Sequence, residues 1–259
     1  NAFAMDYGNA STTIPAFDSN FPVDFGLQKT PTTATDWAAV TRLMGPKELN
    51  TNDTSAEASG SAYVWDSNVG YTAVSWADSD LLSWMWKRHA GFDVVCYKGN
   101  GVAGHQIPHS LSKSPEMIWI KSRDSITQWC VGHMGRNAGV NPWNYFSALN
   151  GNGADEDNTI AFNDTAPTST HFTVGGNDET ANKINYDYVS MLFASADDAD
   201  GNPISKCGYY TGTGHGGSGS GGSVTVTTGF SPRFIIVKNT DAAGGWHVFD
   251  TTRGWVSGD

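Results

Sequence analysis

A lysine closes an apolar run and a tryptophan follows eight residues later at three places: Lys29 and Trp37, Lys121 and Trp129, Lys238 and Trp246. The runs before these lysines are Phe21-Pro22-Val23-Asp24-Phe25-Gly26-Leu27-Gln28, Ser114-Pro115-Glu116-Met117-Ile118-Trp119-Ile120 and Ser231-Pro232-Arg233-Phe234-Ile235-Ile236-Val237. Five or six apolar residues, a polar loop and a tryptophan opening the next run read as a buried strand, a hairpin loop and a partner strand. One fixed spacing used three times makes the chain an array of one β unit.

The rest of the chain fits the same period. Leu49-Asn50-Thr51-Asn52 matches Leu149-Asn150-Gly151-Asn152, and the closing run Leu82–Arg88 matches Tyr188–Phe193. The expected fold is all-β: tandem antiparallel sandwich-like units over 1–90 and 91–195, and an incomplete third unit over 205–259. The third unit opens at Lys206-Cys207-Gly208-Tyr209-Tyr210. It has only 13 residues past Trp246, whereas the second continues for more than 60 past Trp129. Half a sandwich cannot bury its inner face, so the missing strands are expected either beyond Asp259 or from a neighbouring chain. A start at Asn1 fits a piece of something larger. The Gly/Ser-rich stretch between Gly214 and Val224 reads as a mobile tip. Helices should be scarce; Asp36–Met44 is the best short candidate, though its repeat counterparts read as strands.

Charge narrows the partners. The net charge of −11 disfavours nucleic acid and anionic membranes, which both need basic surfaces. No apolar run is long enough to span a bilayer as a helix. Three cysteines, Cys96, Cys130 and Cys207, lack the short spacings of a zinc site or a disulfide framework.

Motifs for chemistry are weak, and no catalytic residue or cofactor is expected. Gly99-Asn100-Gly101 and Gly212-Thr213-Gly214 read as tight turns rather than phosphate cradles. His105 and His109 share a Pro-containing turn, not a helix face. Gly217-Ser218-Gly219-Ser220-Gly221 lacks the strand and helix of a nucleophile elbow. Asp198, Asp200 and Asn202 start like a calcium loop but lack the closing glutamate. Trp37, Trp129 and Trp246 recur and so read as core. The unrepeated aromatics Trp143, Tyr145, Tyr186 and Trp255 are the candidates for contacts outside the unit, including sugar stacking.

Several stretches together carry a family resemblance: Phe92–Gly101, Ile107-Pro108-His109-Ser110-Leu111, Pro115–Lys121, Asp164–Thr170, Asp250-Thr251-Thr252-Arg253-Gly254 and Ser83–Arg88. The chain resembles a family of domains from tail, fibre and appendage proteins of bacteriophages, common in marine and cyanobacterial phages. The resemblance implies a non-enzymatic virion structural protein at the particle surface, involved in host attachment. Its expected partners are other copies of itself, tail proteins and a host-surface glycan. The other readings are a lectin-like receptor-binding protein, a bacterial surface adhesin and a polysaccharide-degrading spike.

Overall fold

The computed structural model describes residues 2–10, 14–59, 63–73, 78–214 and 222–255. The first unit holds β1 (Phe3–Tyr7), β2 (Phe17–Asp18), β3 (Phe25–Lys29), β4 (Ala38–Thr41), β5 (Lys47–Asn50), β6 (Ala58–Ser59), β7 (Tyr63–Val64), β8 (Gly70–Ala73) and β9 (Leu82–Trp86). The second holds β10 (Phe92–Lys98), β11 (His105–Pro108), β12 (Met117–Ser122), β13 (Cys130–His133), β14 (Tyr145–Ala148), β15 (Glu156–Asp157), β16 (His171–Val174) and β17 (Asp187–Phe193), with one helical turn, α1 (Thr159–Phe162). A small hairpin, β18 (Ala196–Asp197) and β19 (Pro203–Ser205), leads to a last one, β20 (Phe234–Lys238) and β21 (Trp246–Asp250).

The two units build one topology twice. Their six-stranded sheets run β1-β9-β3-β4-β5-β6 and β10-β17-β12-β13-β14-β15, element for element the same order. All pairings are antiparallel. A second, smaller sheet covers one face of each: β2-β8-β7 in the first unit, β11-β16 in the second.

Strand period 2 sends alternate side chains to opposite faces, and here both faces are apolar. Along β12, Ile118 and Ile120 enter the second unit's own core with Phe172, Phe162 and Trp143. Met117 and Trp119 point the other way, into a cluster with Phe25, Leu27, Trp84 and Trp86 of the first unit. On β3, Gly26 sits under Tyr71, whose hydroxyl a Cβ there would meet at 2.5 Å. Tyr71 is fully buried in the first unit's own core. Its hydroxyl accepts from Gln28 Nε2 at 2.8 Å and lies 2.7 Å from Ser83 Oγ. Each large sheet is therefore the middle layer between its own small sheet and the other large sheet. A strand buried on both sides explains runs as uniformly apolar as Met117–Ile120.

The stretch Asp36–Met44 forms β4 followed by a 3-10 turn at Arg42–Met44. Pairing with both β3 and β5 holds it extended, and Thr41 Oγ1 accepts from Met44 N at 3.1 Å to start the turn. The recurring lysine has a local role. Lys121 Nζ donates to Thr54 O, Ser122 O and Ser125 O at 3.3, 3.0 and 3.1 Å. Lys29 Nζ donates to the carbonyls of Thr33 and Thr35, and Lys238 Nζ to Asn239 O. An ammonium carries three donors and here collects carbonyls, chiefly those of the loop that follows the strand.

One register differs from expectation. Trp37 N donates to Asn52 Oδ1 at 2.7 Å, and Trp129 N to Asn150 Oδ1 at 2.8 Å. Asn52, not Asn50, is thus the counterpart of Asn150, and Asn50 is the counterpart of Ala148. The loop to that asparagine spans 15 residues in the first unit and 21 in the second. The extra length holds the turns at Arg136–Gly139 and Pro142–Asn144.

In the third unit, β20 and β21 reproduce the β3–β4 and β12–β13 hairpins, with Lys238 opposite Trp246. Lys206–Gly214 forms no strand. Its counterparts β1 and β10 pair only with β9 and β17, and no such partner accompanies it among the described residues. Most of the Gly/Ser tip, residues 215–221, lies outside the described residues.

Candidate functional site

The units meet through bonds that repeat. Trp129 Nε1 donates to Asn50 O at 2.7 Å, and Trp246 Nε1 donates to Ala148 O at 3.0 Å. Asn50 and Ala148 are counterparts, so one bond type joins unit one to unit two and unit two to unit three. A second type accompanies it: Glu57 N donates to Arg123 O at 2.8 Å, and Asp155 N donates to Thr240 O at 3.0 Å. Unit three also reaches back to unit one. The Phe234 ring lies 5.7 Å from Phe3 and 5.4 Å from Trp86. The Arg253 guanidinium lies 5.2 Å over Trp84 and 6.0 Å over Trp37. In a straight row, units one and three would not touch. Here three units surround one aromatic core, and the recurring Trp37, Trp129 and Trp246 all pack on it.

Charged groups reinforce the first seam and brace the second unit behind the next. Arg123 Nε pairs with Glu57 Oε2 at 2.5 Å across the first seam. Lys121, fully buried beside it, has its ammonium pushed down to about 8 by burial, with Asp53 pulling the other way. Within the second unit, behind the Asp155 backbone that meets Thr240, Arg136 pairs with Asp155 and donates to Ser147 Oγ at 2.9 Å. Burial lowers the Arg136 pKa and raises that of Asp155, and it outweighs the attraction of each for the other.

The residues singled out for outside contact do not converge. Trp143 is 6% exposed, edge-on to Phe162 at 5.2 Å in the second unit's own core; packing, not a ligand surface, accounts for it. Tyr145 starts β14 and Tyr186 precedes β17, with β12 and β13 between those strands. Trp255 is half-buried after β21, its N–H donating to Asp250 O. The Asp198 carboxylate accepts from Asp200 N at 3.0 Å and from Asn202 N at 2.9 Å, closing the loop on itself. Those bonds, the Asn202 backbone first, hold its pKa below the usual carboxylate range. No group of three or more His, Cys, Asp or Glu suited to a metal occurs among the described residues. His215 and Gly217–Gly221 lie outside them.

Leu43, Arg88, Asp93, Cys96, His109 and Ser110 line a shallow depression of about 340 Å³ between the first two units. The Ser110 hydroxyl donates to Asp93 Oδ2 at 2.9 Å rather than to His109. His109 is held in its turn by Leu111 N and Thr168 O. The serine–base contact of nucleophilic catalysis is not formed. Burial pushes the Cys96 thiol up, away from the reactive thiolate.

Sequence reasoning passed over Tyr209 and Tyr210, which are 56% and 51% exposed. Tyr209 lies directly on Gly135 and Gly139, where a Cβ would meet it at 2.4 and 2.8 Å. The two glycines inside Met134–Val140 are the signal that could have shown a close approach there.

Residues 18–257 match the model of one family, Domain of unknown function (DUF7483), and the chain belongs to that family. The match begins after β1 and runs across the rest of the first unit, the second unit and the last hairpin. No curated protein and no solved structure matches the chain.

Proposed function

We propose that this chain is a non-enzymatic structural subunit of an extracellular assembly, specifically of a phage tail fibre or appendage that takes part in host attachment. The observation that carries the reading is the use made of the strongest side chains. Tryptophans and a buried lysine are spent on seams between units, with the same tryptophan bond repeated at both seams. A shared core of this kind makes a rigid body rather than a cleft that opens and closes. The resemblance of Phe92–Gly101 and the related stretches to phage tail domains supplies the setting.

A lectin-like role is the second reading, and the exposed pair Tyr209 and Tyr210 favours it over the buried Trp143. Tyrosine offers a flat apolar ring with a polar tip for sugar stacking. The deciding experiment counts copies of the chain in purified particles by native mass spectrometry and cryo-EM. A fixed multiple on the tail is expected. A free monomer that binds glycans and is absent from particles would overturn the structural reading.

A further inference from the structure

We propose that the free edge of β20 accepts one more antiparallel β-strand, an extended segment with large apolar residues at alternate positions. The argument rests on the two complete copies of the same hairpin. β3 is paired on one side with β4 and on the other with β9, and β12 likewise with β13 and β17. β20 pairs only with β21 among the described residues.

The open edge leaves apolar surface behind. Phe25 and Leu27 are 0% and 2% exposed, and Ile118 and Ile120 are 0%. Their counterparts Phe234, Ile236, Ile235 and Val237 are only half-buried. An edge with unpaired backbone groups and apolar side chains on both faces is a template for strand addition. The surface is continuous with the central core, because Phe234 and Ile236 already pack against it.

The existing copies give the register. Trp86, Trp84 and Leu82 lie opposite Phe25, Leu27 and Lys29; Phe193, Met191 and Val189 lie opposite Met117, Trp119 and Lys121. The incoming strand therefore places an aromatic residue opposite Phe234, a Trp or Met opposite Ile236 and an aliphatic residue opposite Lys238. The backbone side follows too. Arg123 N donates to the O of Asp187, the first residue of β17, and N–H directions alternate along a strand. Lys121, Trp119 and Met117 thus face β17, and Lys238, Ile236 and Phe234 face the open edge.

The test titrates the full chain into a labelled peptide copying Asp80–Arg88, read by fluorescence anisotropy. Saturable binding is expected. Trp84→Asp in the peptide should weaken it roughly tenfold or more, since one large buried side chain is lost. Ile236→Pro in the protein should abolish binding and leave the fold intact, because an edge strand tolerates proline where its N–H points outward. No saturable binding by the folded chain overturns the proposal. So does binding indifferent to Ile236→Pro. A dimer in sedimentation that Ile236→Pro dissolves also overturns it, because a second copy's own edge would then be the occupant.

Discussion

Replacing each recurring tryptophan by phenylalanine tests the three-sided core. Trp129→Phe removes about two ring carbons from a fully buried site, at about 0.8 kcal/mol each. It also leaves Asn50 O without the Nε1–H that reaches it at 2.7 Å. Asn50 is half-buried, so its orphaned acceptor costs about 1 kcal/mol, the low end of the range for buried groups, and the total is about 2.5–3 kcal/mol. Trp246 is half-buried, and water can replace its bond to Ala148 O, so Trp246→Phe should cost about 1 kcal/mol. Trp37 Nε1 has no acceptor among the described residues, and its ring stacks 5.2 Å from Trp84. Trp37→Phe keeps an aromatic stack and should cost under about 1 kcal/mol. The assay is urea unfolding followed by far-UV circular dichroism, with the slope m checked for constancy across variants. The expected order is Trp129, then Trp246, then Trp37. Equal losses at all three positions, or a Trp129→Phe cost below about 1 kcal/mol, would show that the inter-unit bond does not hold the core together.

Three other perturbations separate packing from chemistry. Lys121 titrates near pH 8 when folded and near 10.5 when unfolded, so between those values the unfolded chain binds more protons and stability rises with pH. Wild-type stability relative to Lys121→Met should therefore climb by up to about 3 kcal/mol from pH 7 to pH 10.5; a flat difference in denaturation midpoints sinks the assignment. Asp155→Ala should cost about 3–5 kcal/mol by stranding the Arg136 cation, whereas the double change Arg136→Met with Asp155→Leu should be nearly neutral; similar losses for both would show that the ion pair is not the source. Trp143→Ala should lower stability by about 3–5 kcal/mol as a core truncation, and an unchanged melting temperature would put that ring back among the ligand candidates.

The hairpin unit was legible because its signal is local. Lysine and tryptophan are cross-strand positions of one hairpin, so their spacing is fixed by the turn between them. The all-β class follows from the same runs, and the structure has it. The seams were not legible. Trp129 finds its acceptor 79 residues away, and Trp246 finds its acceptor 98 residues away. Nothing in a run of apolar residues says which sheet its second face will meet. Trp143 departs from its sequence expectation for a related reason: it has no repeat partner, because its turn exists only in the longer second unit. The available clue was Gly132 in the interior of β13, where a Cβ would meet the Phe162 ring at 2.6 Å and the Trp143 ring at 2.7 Å. A glycine inside a strand marks close approach, and here it is the approach of the ring taken for a surface contact.

The direction of the seam bonds constrains how such units can assemble. Each bond runs from the tryptophan of one unit to the β5-type carbonyl of the unit before it. Two units placed face to face satisfy one such bond, and even with the third in place the rims of the core, Phe3, Trp37 and Leu149, are only partly buried. A straight row would repeat that deficit at every step, since every large sheet is apolar on both faces and a row always ends on one. Turning each unit about a common axis instead lets the third return to the first. The contacts of Phe234 and Arg253 with Trp86, Trp84 and Trp37 are that return. The same turn predicts which indole is the last to be satisfied: Trp37, whose preceding unit in the cycle is the one built from β20 and β21. The half-burial of Trp37 therefore belongs to the outer edge of β21, where a β5-type strand would pair, and not to the edge of β20, which takes a β9-type strand.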